Sequence, residues 1–230
     1  MLLYLHGFAS GAGSFKARYF SRRLEALGLE LLAPELDEGD FEHLTLSRQL
    51  QLVERLCARA ERPLVLIGSS LGAYLAALYA ARFPVAALVL MAPAIDFARR
   101  LRERLGEQAI ERWRERGTMQ FFHYARGRDM PLGWELFADA ARHDPRPMVR
   151  APTLVLHGRR DEIVPLDVIE GWTGGLPRAR LEVLDSGHEL TEVADLLFER
   201  ARSFLSGIAE VADAWPALVG QQGAREVREQ

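Results

Sequence analysis

Apolar residues in this chain fall into short, nearly continuous runs separated by stretches with helical spacing. Six runs have the length of strands: Leu2–Leu5, Leu29–Ala33, Leu64–Gly68, Ala87–Met91, Thr153–His157 and Arg180–Leu184. Several have no polar alternation, the mark of strands buried on both faces. Between them the spacing predicts helices over Phe15–Leu27, Leu46–Ala60, Leu71–Arg82 and Val193–Phe204. Pro63, Pro84, Pro93 and Pro152 stand at or near the element boundaries, where proline is tolerated. Strand alternating with helix predicts an α/β fold, here a mostly parallel, six-stranded sheet with helices on both faces.

The alternation breaks from about Ile95 to Met148, a stretch too long for a plain loop. Its pattern predicts an Arg/Glu-rich helix over Phe97–Arg116. A hairpin follows from Thr118–Tyr124, turning at Arg126-Gly127, and then a helix near Leu132–Arg142. The expected organisation is a core of residues 1–94 and 149–215, a cap insertion of residues 95–148, and a polar tail, residues 216–230, that frays.

Composition narrows the class. The chain has 230 residues, 49% hydrophobic and 27% charged, the balance of a soluble globule able to bury a core without staples. One cysteine, Cys57, excludes an intrachain disulfide framework and a Cys-rich zinc site. No histidine pair has metal-ligand spacing, so neither a metal nor a cofactor is expected. The net charge of −3 gives no basic footprint for nucleic acid. No apolar run is long enough to span a membrane, and the first residues lack a basic, signal-like start; a cytoplasmic protein is expected. Glu103, Glu107, Glu111 and Glu115 interleave with the arginines of the inserted helix, which therefore reads as a solvated amphipathic face.

The chemistry is concentrated in loops. Gly68-Ser69-Ser70-Leu71-Gly72 joins an apolar strand directly to a small-residue helix, the context a G-x-S-x-G elbow needs. Such a turn holds Ser70 in a strained conformation above the strand ends, while the flanking glycines let strand and helix approach. Serine needs a base to take its proton. His188 lies on the loop after the last strand, and Asp161 on the loop after the preceding one. Asp161 is favoured as the acid over the neighbouring Glu162, Asp167 and Asp185. The oxyanion of a tetrahedral intermediate needs preorganised donors. The backbone N–H of Leu71 and that of Phe8, on the loop after the first strand, are the candidates. Phe8, Tyr74, Phe121, Phe122 and Trp134 are candidates to line an acyl or aryl pocket.

Four motifs, HGF at His6–Phe8, GSSLG at Gly68–Gly72, HGRRDEIVP at His157–Pro165 and SGH at Ser186–His188, resemble those of the α/β-hydrolase superfamily, in order along the chain. Within it the chain looks like small serine esterases and acyl-protein thioesterases with short caps. The resemblance implies a triad of Ser70, Asp161 and His188, oxyanion donors Phe8 and Leu71, and a cap over the strand ends. It further implies that the two strands that usually come first are missing. The expected activity is hydrolysis of a small-molecule ester or thioester. A serine peptidase and a non-catalytic binding protein of the same fold are the alternatives.

Overall fold

The computed structural model describes residues 1–60 and 63–219. Six strands form one wholly parallel sheet: β1 (Leu2–Leu5), β2 (Leu31–Leu32), β3 (Val65–Ser69), β4 (Ala87–Met91), and, after an interruption, β7 (Thr153–Gly158) and β8 (Ala179–Leu184). Their order across the sheet is β2-β1-β3-β4-β7-β8. The edge at β2 is only two residues long, which leaves little backbone to recruit a foreign strand.

Strand side chains alternate between two cores, as the period of two requires. On one face Leu3, Leu5, Leu66, Leu88, Leu90 and Val155 pack against α2 (Leu46–Cys57), α3 (Leu71–Ala80) and α7 (Leu166–Thr173). On the other, Leu2, Tyr4, Val65, Ile67, Val89, Met91 and Leu156 meet α1 (Phe15–Glu25) and α8 (Ala194–Ser206). Helix α3 is buried along nearly its whole length because it carries no polar face.

The interrupting segment holds α4 (Phe97–Leu105), α5 (Glu107–Arg116), an antiparallel hairpin β5 (Thr118–His123) and β6 (Arg128–Gly133), and α6 (Glu135–Ala140). A third apolar cluster gathers beneath it around the fully buried Trp113, whose indole N–H donates to Leu132 O at 2.9 Å.

Several boundaries differ from the sequence pattern. The expected helix Phe97–Arg116 is two helices, because Gly106 adopts φ +80° between them. The helix expected from Leu132 starts later. Gly133 still belongs to β6, and its N–H is taken by Glu42 O at 2.7 Å. The second strand shrinks to Leu31–Leu32, just before Pro34. Helix α7, not anticipated, starts directly after Pro165, a recognised start signal. The tail expected to fray from Pro216 is held at its beginning. Pro216–Leu218 form a 3-10 turn, and Leu218 packs into the core on the α1 and α8 side. The rest of that tail, residues 220–230, lies outside the described residues.

Asp139 ties the inserted segment to the core. Its buried carboxylate accepts the Ser47 N–H and hydroxyl, both at 2.8 Å, at the start of α2, where the helix dipole favours an anion. Burial opposes its charge, but the Ser47 donors, Arg142 and His143 outweigh that and hold its pKa below the ordinary value. A depressed folded pKa adds stability above the unfolded value and loses it as pH falls. Asp139→Ala is therefore expected to cost about 1–3 kcal/mol at neutral pH. The gap between variant and wild type should narrow below about pH 4. Urea unfolding midpoints at both pH values check this.

Candidate active site

The loops after β1, β3, β7 and β8 meet at the carboxyl end of the sheet. Ser70 sits at the turn from β3 to α3 with φ +53° and ψ −117°, a region non-glycine residues rarely adopt. Its backbone is pinned on both sides. The Ser70 N–H donates to Met91 O at 2.9 Å, and its carbonyl accepts from Ala73, Tyr74 and Ala94 N–H at 3.0–3.1 Å.

The two motif glycines have separate steric causes. A Cβ on Gly68 would stand 2.6 Å from Ala73 Cα, so β3 and α3 could not close around the turn. A Cβ on Gly72 would stand 2.1 Å from Leu5 O and 2.4 Å from His6 O, so the helix could not lie on the end of β1.

Two backbone bonds join the loops after β7 and β8: Arg159 N–H to Leu184 O at 2.8 Å and Arg160 N–H to Ser186 O at 2.9 Å. Gly158 permits this approach, since a Cβ there would meet Gly187 O at 2.4 Å. The junction sets Asp161 beside His188. Asp161 Oδ1 accepts the Ile163 and Val164 N–H at 2.8 and 2.9 Å, and Oδ2 lies 2.8 Å from His188 Nδ1. His188 Nε2 lies 2.9 Å from Ser70 Oγ.

Electrostatics fix the direction of this chain. Burial works against the Asp161 charge, but the His188 hydrogen bond and charge, with the Val164 N–H and His157, hold its pKa below the ordinary carboxylate value. An ionised carboxylate only accepts, so His188 Nδ1 carries a hydrogen. In the neutral ring Nε2 is then the lone pair that receives the Ser70 hydroxyl. The loop that carries His188 is anchored by Lys16, whose ammonium donates to Glu189 O.

The backbone N–H groups of Phe8 and Leu71 make no hydrogen bond among the described residues. Leu71 opens α3, where its own N–H has no helical partner. Gly7 brings the other loop alongside: a Cβ on it would lie 3.4 Å from Ser70 Cβ.

Ser70 and His188 open into a cavity of about 1210 Å³, lined in part by Phe8, Ile95, Phe97, Phe121, Phe122 and Ile163. Of the five side chains expected to line an acyl or aryl pocket, Phe8, Phe121 and Phe122 line it. Tyr74 does not. It is buried on α3, and its hydroxyl donates to Asp144 O at 2.7 Å. Trp134 does not either. It packs against Phe137 and Trp113, with ring centroids 4.9 and 5.7 Å apart, beneath the insertion. Tyr74 closely follows the GSSLG motif and Trp134 lies in the insertion, and both are taken up by packing.

The His157 side chain is fully buried, with Nε2 3.5 Å from Asp161 Oδ2. Nε2 donates to Val164 O at 2.9 Å, and burial pushes its pKa down, so it is a neutral neighbour of the acid. His6, also kept neutral by burial, receives the Leu36 N–H on Nε2 at 3.1 Å and links the loops after β1 and β2. Among the described residues no group of three His, Cys, Asp or Glu side chains is placed to hold a metal ion. No described helix is long and apolar enough to cross a membrane.

A family model matches residues 1–205, almost the whole described chain. The chain belongs to the uncharacterised protein family UPF0227. No curated protein matches it in sequence. Among solved structures this UPF0227 member is similar to alpha/beta hydrolase domain-containing protein 10 from mouse, with 20% identity, 90% of each chain covered and a TM-score of 0.76. It is similar to Est1E from Butyrivibrio proteoclasticus in its ferulic acid-bound form, with 19% identity, 89% of each chain and a TM-score of 0.70. It is also similar to MGS-MChE2, an α/β hydrolase enzyme from the metagenome of lagoon sediments at Mar Chica, Morocco, with 19% identity, 90% of each chain and a TM-score of 0.62. At this identity the likeness establishes the α/β-hydrolase fold.

Proposed function

We propose that the protein is a serine hydrolase that cleaves carboxylic esters or thioesters of small or acyl substrates. The observation that carries this reading is the hydrogen-bonded chain from Ser70 Oγ through His188 to Asp161, opening into a cavity. Ser70 Oγ attacks the substrate carbonyl carbon while His188 Nε2 takes its proton. The charge that develops on the carbonyl oxygen is held by the N–H groups of Phe8 and Leu71, at the positive end of α3. Collapse expels the alcohol or thiol, which leaves with the proton from His188, and Ser70 stays acylated. Water, deprotonated by His188, then attacks the acyl carbon and releases the acid. Asp161 keeps the ring in the required tautomer and stabilises its cation. The inserted segment, residues 95–148, acts as a cap, since Phe97, Phe121 and Phe122 reach the cavity from it.

Esters and thioesters are favoured over amides because their leaving groups depart more easily. The cavity volume suits an acyl or aryl group well beyond acetyl. An aminopeptidase-like reading would need an acidic anchor for a substrate ammonium, whereas the charged side chains lining this cavity are mainly cationic.

The test is hydrolysis of para-nitrophenyl esters and matching thioesters of graded chain length, alongside fluorophosphonate labelling with peptide mapping. Turnover and a label on Ser70 are the expected results. Neither turnover nor a label on Ser70 would make the protein a binding module.

A further inference from the structure

Helix α4 presents Phe97, Arg100, Leu101 and Arg104 to the cavity. Their spacing, i, i+3, i+4 and i+7, is one helix face. A face turned toward an aromatic-lined cavity is ordinarily apolar, yet half of this one is arginine. The helix's other arginines are engaged elsewhere. Arg99 pairs with Asp96 at 2.8 Å and Glu103 at 3.2 Å, and Arg102 pairs with Glu107 at 2.9 Å. Arg104 has no carboxylate partner among the described residues. Arg100 shares Glu103 with Arg99, at 3.0 Å, and its side chain is only 20% exposed. Its Nε is buried with no acceptor. Glu103 meets only Nη1 of this guanidinium, so its other nitrogens have no acceptor among the described residues, and the side chain lines the cavity with hydrogen-bonding capacity unused.

A second helix repeats the sign. Lys16 and Arg18 line the cavity from α1. The two carboxylates that line it already have partners: Glu35 accepts the Ala12 N–H at 3.1 Å, and Glu189 lies 4.0 Å from the Lys16 ammonium. A protein with a net charge of −3 thus gathers cations around Ser70. Such a cavity concentrates anions and steers them inward.

We infer that the preferred substrates are anionic esters or thioesters, with a carboxylate-type group bound by Arg100 and drawn in by Arg104. This rests on the reading of Ser70 as the nucleophile. The guanidinium is planar, always charged and able to grip an oxyanion with two donors. Arg100 is thus a specificity-determining residue, and the apolar residues beside it hold the uncharged part of the substrate.

Two matched ester pairs test the inference. In the first the acyl part carries the charge: para-nitrophenyl hemiglutarate against para-nitrophenyl pentanoate. In the second the leaving group carries it: the butyrate ester of meta-hydroxybenzoate against that of its methyl ester. Wild type is expected to favour the anionic member of at least one pair by about tenfold in kcat/KM, the size of one charge-assisted contact. The pair that shows the preference tells which side of the scissile bond Arg100 faces. Arg100→Met should reduce that preference to about twofold or less, and Arg100→Lys should restore part of it. Raising the salt concentration should also reduce it. No preference in either pair, or one that survives Arg100→Met, overturns the inference while leaving the hydrolase reading intact.

A binding arm separates the two readings. Calorimetric titration of the same esters into Ser70→Ala, with and without Arg100→Met, needs no turnover. Tighter binding of the anionic member, lost with Arg100→Met, supports the inference even if wild type hydrolyses nothing. Equal binding of both members overturns it.

Discussion

Replacing Ser70 with alanine is expected to lower kcat toward a para-nitrophenyl ester by about 10⁴–10⁶-fold, without unfolding the protein. The size follows from the geometry. Among the described residues Ser70 Oγ is the one hydroxyl that meets His188 Nε2, at 2.9 Å. His188→Ala should cost a similar factor, because an unactivated serine hydroxyl is a poor nucleophile. The double variant should be no worse than either single one, since the two residues act as a unit. Asp161→Asn should cost about 10⁴-fold by letting the ring take the wrong tautomer. Folding should survive the loss of Ser70 Oγ, because the pinning hydrogen bonds at Ser70 are all backbone. Steady-state rates and thermal melting curves on the same preparations check both halves. A Ser70→Ala protein that retains a tenth of the wild-type rate would rule out the serine mechanism.

The second large effect is on stability. Gly72→Ala is expected to destabilise the fold by about 4 kcal/mol or more. The added Cβ would lie 2.1 Å from Leu5 O and 2.4 Å from His6 O, both backbone atoms at the end of a central strand. No side chain can rotate away to make room. Either α3 lifts off the sheet or β1 shifts, and both disturb close-packed core. Gly13→Ala is the control. Nothing lies within 4 Å of a Cβ there, so its effect should stay within about 0.5 kcal/mol. Urea denaturation of the three proteins gives the comparison, and a Gly72→Ala protein within about 1 kcal/mol of wild type would contradict the steric argument.

Much of this architecture was legible in the chain because the signals are local. Unbroken runs such as Leu2–Leu5 and Ala87–Met91 can bury both faces only in the middle of a sheet. The G-x-S-x-G spacing placed Ser70 on a turn between strand and helix because glycine is the only residue that fits at either end of it. His188 and Asp161 followed from strand order, since loops at the carboxyl ends of neighbouring parallel strands must lie side by side. Within the inserted segment the pattern was less informative. Arg100 and Arg99 are adjacent and chemically identical, yet one lines the cavity while the other pairs with Asp96 and Glu103. Tyr74 and Trp134 carry the same aromatic signal as Phe121 and Phe122 but are packed away from Ser70.

The sequence by itself determined the order of the six sheet strands along the chain, the α/β class and the turn that presents Ser70, because each depends on the spacing of a few consecutive residues. Only the tertiary structure decided which faces of the inserted helices turn toward the cavity, which aromatics line it, and that His157 stands against Asp161. Those outcomes depend on how segments distant in sequence close over one another, where a single break at Gly106 reorients every side chain that follows.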